Sequence, residues 1–91
     1  MRLEEALFNW LQIKIVAVGR PDDGAARETV AFFETVLRED HQVEAVEIGG
    51  EDETMYRIVY VQNGRKKTQW FDRESAGRLL MEINANPKYN E

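Results

Sequence analysis

The chain has 91 residues, 12 Lys+Arg against 17 Asp+Glu for a formal net charge of −5, 43% hydrophobic residues and no cysteine. That length makes one domain, and the composition excludes collagen-like, disulfide-stapled and transmembrane chains and argues against wholesale disorder. Without cysteine the sequence has neither a thiolate nucleophile nor a sulfur-ligated metal site.

The strongest apolar stretch, Ile13 to Val18, is interrupted by Lys14 and is far shorter than the ~20 residues that cross a bilayer. Glu4 and Glu5 stand where a signal peptide carries positive charge, so a cytoplasmic location is expected. Charge is unevenly placed. Residues 42–54 hold five acidic and no basic side chains, whereas residues 55–78 hold six basic and two acidic ones. A basic segment therefore follows an acidic one.

The opening segment reads as a helix to about Val18. Leu3, Leu7, Leu11, Ile15 and Val18 form a line at helical spacing, with Arg2, Glu5, Asn9 and Gln12 on the polar side. The β-branched cluster Ile13, Ile15, Val16 and Val18 leaves a short buried strand over 12–18 as the alternative. Gly19 and Pro21 supply the stop, and Asp22 or Asp23 caps a second helix. That helix carries Ala26, Val30, Phe33, Val36 and Leu37 on one stripe, with Phe32 beside it, and ends near Asp40 or His41. Glu34 and Arg38, four apart on its outer side, are expected to pair. The two helices form an antiparallel pair.

Periodicity then changes to two. Glu44, Val46 and Ile48 alternate with Val43, Ala45 and Glu47 in a strand that Gly49-Gly50 ends, followed by an acidic loop over 51–53. Met55 to Val61 and Lys66 to Phe71 are two strands joined by the Asn63-Gly64 turn. Asp72 opens a last helix to about Ile83, with Phe71 and Ala76 as a hydrophobic staple and Leu79, Leu80 and Ile83 completing the stripe. The fold class is thus α+β: an N-terminal helix pair, a three-stranded antiparallel β-meander and a C-terminal helix (α-α-β-β-β-α). The domain spans 1–84, and 85–91 form a frayed C-terminal tail.

A two-residue turn at Asn63-Gly64 sets Val61 against Lys66, Val59 against Thr68 and Arg57 against Trp70. One sheet face then carries Met55, Arg57, Val59, Val61, Lys66, Thr68 and Trp70, and the other carries Tyr56, Ile58, Tyr60, Gln62, Arg65, Lys67, Gln69 and Phe71. Neither face is plainly polar. Either helices cover both, or one face is left for a partner; the staple at Phe71 favours the tyrosine face for the helices. Met55, Arg57, Val59, Val61, Lys66 and Trp70 are then the partner-binding candidates, with Arg57 placed to stack on the indole.

Groups for catalysis are sparse. His41 is the single histidine, and Ser75 the single serine, without a Gly-x-Ser-x-Gly elbow. Asp22-Asp23 reads as a cap, and Glu51-Asp52-Glu53 lacks the spacing of a calcium loop. Neither a metal site nor a cofactor site is expected, and the chain is not expected to be an enzyme.

The leading function is a non-catalytic protein–protein interaction or regulatory module, a homodimer or an adaptor built on one sheet face. The alternative is nucleic-acid binding by the basic-aromatic hairpin 65–71, through Arg65, Lys66, Lys67, Trp70 and Arg73. The order of the second helix, three strands and last helix resembles that of double-stranded-RNA-binding domains. In that family a basic cluster opens the final helix, whereas this one opens Asp72-Arg73-Glu74, and the net negative charge opposes phosphate binding. In general make-up the chain resembles the small cytoplasmic proteins that bacteria carry in number.

Overall fold

In the computed structural model, which describes residues 1–86, the opening segment is one helix, α1 (Leu3–Gly19). The β-branched cluster does not form a strand, and the reason is tertiary. α1 packs against both other helices, so it is apolar over most of its circumference rather than along one stripe. Leu7, Trp10, Leu11 and Val16 are buried, and Ile13 and Ile15 pack against the core. Val18 departs from the expected line; it is 68% exposed at the helix end.

Asp23 caps α2 (Gly24–His41), its carboxylate accepting from the Ala26 amide at 3.0 Å. That hydrogen bond holds the Asp23 carboxyl below its ordinary pKa. Ala26, Val30 and Leu37 are buried, whereas Phe32 is exposed and meets Phe33 edge-on at 5.2 Å. Glu34 does not pair with Arg38. It is half-buried and accepts from the Trp10 indole N–H at 3.1 Å, while Arg38 donates to Thr35. An isolated-helix spacing rule does not register a partner arriving from the neighbouring helix.

Gln42, in the left-handed conformation, ends α2 and turns the chain into β1 (Val43–Glu51). β2 (Met55–Gln62) and β3 (Arg65–Asp72) follow, and the sheet order is β1-β2-β3, antiparallel throughout. α3 (Arg73–Ala85) completes the expected α-α-β-β-β-α order. Its cap is Asp72, which accepts from the Ser75 amide at 2.9 Å. Most of the expected tail, residues 87–91, lies outside the described residues.

The hairpin register is the expected one in every pair, from Gln62 with Arg65 to Tyr56 with Phe71. Asn63 and Gly64 both have positive φ, as a tight primed turn requires. β1 differs from its expected alternation in two places, because the pairing shifts between Val43 and Ala45 and again between Ile48 and Gly50. The first shift turns Val43 to the same side as Val46 and Ile48, into the core. The second carries the strand through Gly49-Gly50 instead of ending there.

The core lies between the helices and the tyrosine face. Ile58 and Tyr60 are buried in one cluster with Leu7, Trp10, Leu11, Leu37 and Ala76. Phe8 of α1 meets Phe71 at 5.5 Å, so the staple residue faces inward as expected. Among the described residues the helices pack on the tyrosine side, and the other arrangement the sequence allows, helices over both faces, does not form.

Candidate functional site

The second sheet face is built from three cross-strand rows. Ala45, Val61 and Lys66 form the row nearest the hairpin turn, Glu47, Val59 and Thr68 the middle one, and Gly50, Arg57 and Trp70 the third. Met55 extends the apolar line beyond the third row. Among the described residues no helix packs over these rows.

Trp70 is 50% exposed, Met55, Val59 and Val61 are half-buried, and Arg57, Lys66 and Glu47 are exposed. All six partner-binding candidates therefore share one face. Two shallow depressions mark it. One of about 310 Å³ is bordered by Ala45, Glu47, Val61 and Lys66, and one of about 230 Å³ by Gly50, Asp52, Arg57 and Trp70.

Arg57 stands opposite Trp70 in the register, yet its guanidinium donates to the Gly49 carbonyl on β1, across β2 from the indole. The ring that carries a cation is Tyr56, with the Arg73 guanidinium 5.8 Å from its centroid. Arg57 lies over bare backbone, for a Cβ at Gly50 would sit 3.4 Å from its Nη2 and one at Gly49 would overlap Val59 Cγ2. The glycine pair thus keeps the β1 edge of this face flat.

The nucleic-acid candidates do not share one surface. Lys66 and Trp70 are on the open face, whereas Arg65 and Lys67 align with Gln62 and Tyr60 of the opposite face. Lys67 donates to Gln62 Oε1 at 2.9 Å. Arg73 donates to the Asp52 carbonyl at 2.8 Å and pairs with Glu51 at 3.4 Å. Both partners of that pair are about half exposed, so it adds little stability but places acid beside the arginine.

His41 Nε2 lies 2.9 Å from the Met1 carbonyl oxygen, and the Ser75 hydroxyl donates to the Asp72 cap at 2.8 Å. The first contact ties the end of α2 to the chain's first residue, and the second reinforces the α3 cap. Asp52 accepts from the Thr54 and Met55 amides, which hold its carboxyl below the ordinary pKa and fix the turn into β2. Among the described residues no group of three or more His, Cys, Asp or Glu side chains is arranged to hold a metal ion. No helix there is long and apolar enough to cross a membrane.

The chain matches no family model, no curated protein and no solved structure.

The contribution of β1 to the face escapes a reading of the hairpin alone. Ala45, Glu47, Gly49 and Gly50 are small or acidic, and they complement the long basic and aromatic residues of β3. Their alternation with Val46 and Ile48 is the signal for it. The bulge at the glycine pair, which places both glycines against Arg57, has no comparable sequence marker.

Proposed function

We propose that this α+β domain is a non-catalytic protein-interaction or regulatory module of the cytoplasm, and that the open sheet face binds protein, either a second copy or an adaptor target. The observation that carries this reading is Trp70. An indole half in solvent, continuous with Val59, Val61 and Met55 and bordered by Arg57 and Lys66, has the composition of an interface centre with a polar rim. Structural engagement of His41 and Ser75 supports a non-catalytic role. Nucleic-acid binding by 65–71 is the weaker reading, since Lys66 and Lys67 point to opposite sides of the sheet.

The test is site-directed photocrosslinking in the producing cell. A photoreactive residue in place of Thr68, on the open face, should give discrete protein adducts, and one in place of Glu28, exposed on α2, should not. Adducts from Glu28 with none from Thr68 would overturn the reading.

A further inference from the structure

Resting on that reading, we infer that the occupant of the open face is a second copy of this chain, docked about a two-fold axis that lies between the two sheets, parallel to β2 and over Val59. The two edges of the face are complementary to one another in relief and in charge. β1 contributes Ala45, Glu47 and the bare Gly49-Gly50 backbone, and β3 contributes Lys66, Thr68 and Trp70. A closed two-fold contact brings the same patch of each copy together. An axis along the strands lays β1 of one copy on β3 of the other, level by level.

In that arrangement each Trp70 comes down on the Gly49-Gly50 platform of the other copy. The Arg57 guanidinium already lies across that platform, held by the Gly49 carbonyl, so indole meets guanidinium face to face. Each Lys66 lands over the Ala45 of the second copy, in the depression beside Glu47. The ammonium has ~7 Å to cover, two residues along the strand, to reach that carboxylate. Val59 meets its own counterpart on the axis.

Aligned sheets turn by about 30° relative to each other, which moves a corner of this small face by ~4 Å, within the reach of Lys66 and Arg57. The other in-plane axis, across the strands, sets Glu47 against Glu47 and Trp70 against Lys66 and offers no glycine platform to the indole; along the strands the two Arg57 residues flank the axis, each guanidinium drawn aside onto its own β1. The along-strand axis is therefore favoured.

Three strands of about eight residues span on the order of 400 Å² of sheet plane, about half the ~800 Å² per partner of a standard interface. The dimer is accordingly weak and exchanging, in the class of transient contacts below the standard size.

Charge exchange between copies tests this. E47K and K66E change exposed residues, and thermal melts of both check that the fold is kept. Sedimentation equilibrium of the full chain up to ~1 mM should show wild-type dimers and at least ~10-fold weaker self-association of each variant. In either variant alone both symmetry-related contacts carry like charge; in an equimolar mixture of the two, both contacts of the mixed pair carry opposite charge. The mixture should therefore associate near the wild-type level, as should the double variant E47K/K66E. A wild type that stays monomeric at ~1 mM, or a mixture no tighter than its components, overturns the inference. Thr68 adducts of some mass other than twice the chain would then leave the interaction surface standing without the homodimer. Loss of all Thr68 adducts would remove both.

Discussion

Trp10, 1% exposed, donates its indole N–H to Glu34 Oε2 at 3.1 Å and so joins α1 to α2 at the centre of the helix pair. A buried indole brings a large apolar area together with one donor that must be satisfied. Glu34 supplies the acceptor, and its half-exposed position lets the carboxylate stay hydrated on the other side.

Removing the acceptor should therefore cost more than neutralising it. E34A leaves a buried donor unpaired and is expected to destabilise by about 1–3 kcal/mol, while E34Q keeps an oxygen in place and costs less. W10A, which also empties core volume, is expected to cost about 3–5 kcal/mol and to unfold much of the protein, because a domain this small has stability near the low end of the usual ~5–15 kcal/mol. Urea unfolding of the three variants checks the order.

Gly49 is the second sensitive point. A Cβ there would overlap Val59 Cγ2, so G49A must push apart β1 and β2 or turn the valine. An overpacked site of this kind loses about 1–3 kcal/mol. V59A removes the obstructing methyl groups, and the double variant G49A/V59A should recover most of the loss that G49A causes. A double-mutant cycle measured by denaturant unfolding reads the coupling directly; strictly additive losses would show that the two sites do not meet.

The elements most legible from sequence are those fixed by local chemistry. Asn63-Gly64 sets the pairing of β2 with β3, because a two-residue turn admits one register, and Asp23 and Asp72 stop the chain where a cap is needed. Elements decided by distant packing are less legible. Val16 is helical because α1 is packed on two sides, Glu34 faces Trp10 because α2 lies alongside α1, and Val43 turns inward through a bulge that only the pairing with β2 creates. For the candidate surface, the hairpin register is enough to gather the six partner-binding candidates on one face. The acidic and glycine-bearing edge from β1 needs the three-strand register as well.

The two aspartate caps and the Asp52 turn are expected to weaken in acid. Asp72 is held below its ordinary pKa chiefly by the Ser75 amide, Asp23 chiefly by the Ala26 amide and Asp52 chiefly by the Thr54 amide. A carboxylate whose folded pKa is depressed contributes stability that is complete above its unfolded pKa, about 3.9, and is lost as the pH falls through the folded value. Stability should accordingly be flat in this respect near neutrality and fall below about pH 4. D72N keeps a capping side chain without the titration, so its acid limb should be shallower than that of wild type. Thermal unfolding across a pH series compares them, and identical acid limbs would exclude Asp72 as a contributor.

For nucleic acid, the dispersion of Arg65, Lys66 and Lys67 over two faces predicts weak binding. Wild-type protein should bind DNA or RNA no tighter than about micromolar near physiological salt. Replacing the three together by alanine should flatten whatever salt dependence exists, by about one unit of log–log slope for each phosphate that a removed side chain had neutralised. Fluorescence anisotropy at several salt concentrations measures both. Nanomolar affinity of the wild type at physiological salt would make the hairpin a nucleic-acid interface after all.

The sharpest test of the proposal is whether Trp70 serves an interface or the core. The indole lies on the face away from the helices, half in solvent, so truncating it should empty no internal volume. An interface tryptophan commonly costs ~2 kcal/mol or more on truncation, which corresponds to a weakening of association by ~30-fold or more. A core tryptophan instead costs about 3–5 kcal/mol of folding stability. W70A is thus expected to lose association while its urea midpoint stays close to that of wild type, since the indole is half in solvent on the open face. Sedimentation across a concentration series and unfolding of the same samples separate the two costs. If W70A is unfolded while wild type stays monomeric at high concentration, the indole is structural and the face loses its anchor. If W70A is folded and monomeric where wild type associates, the residue left half in solvent in one copy is what anchors the covering of this face in the assembly.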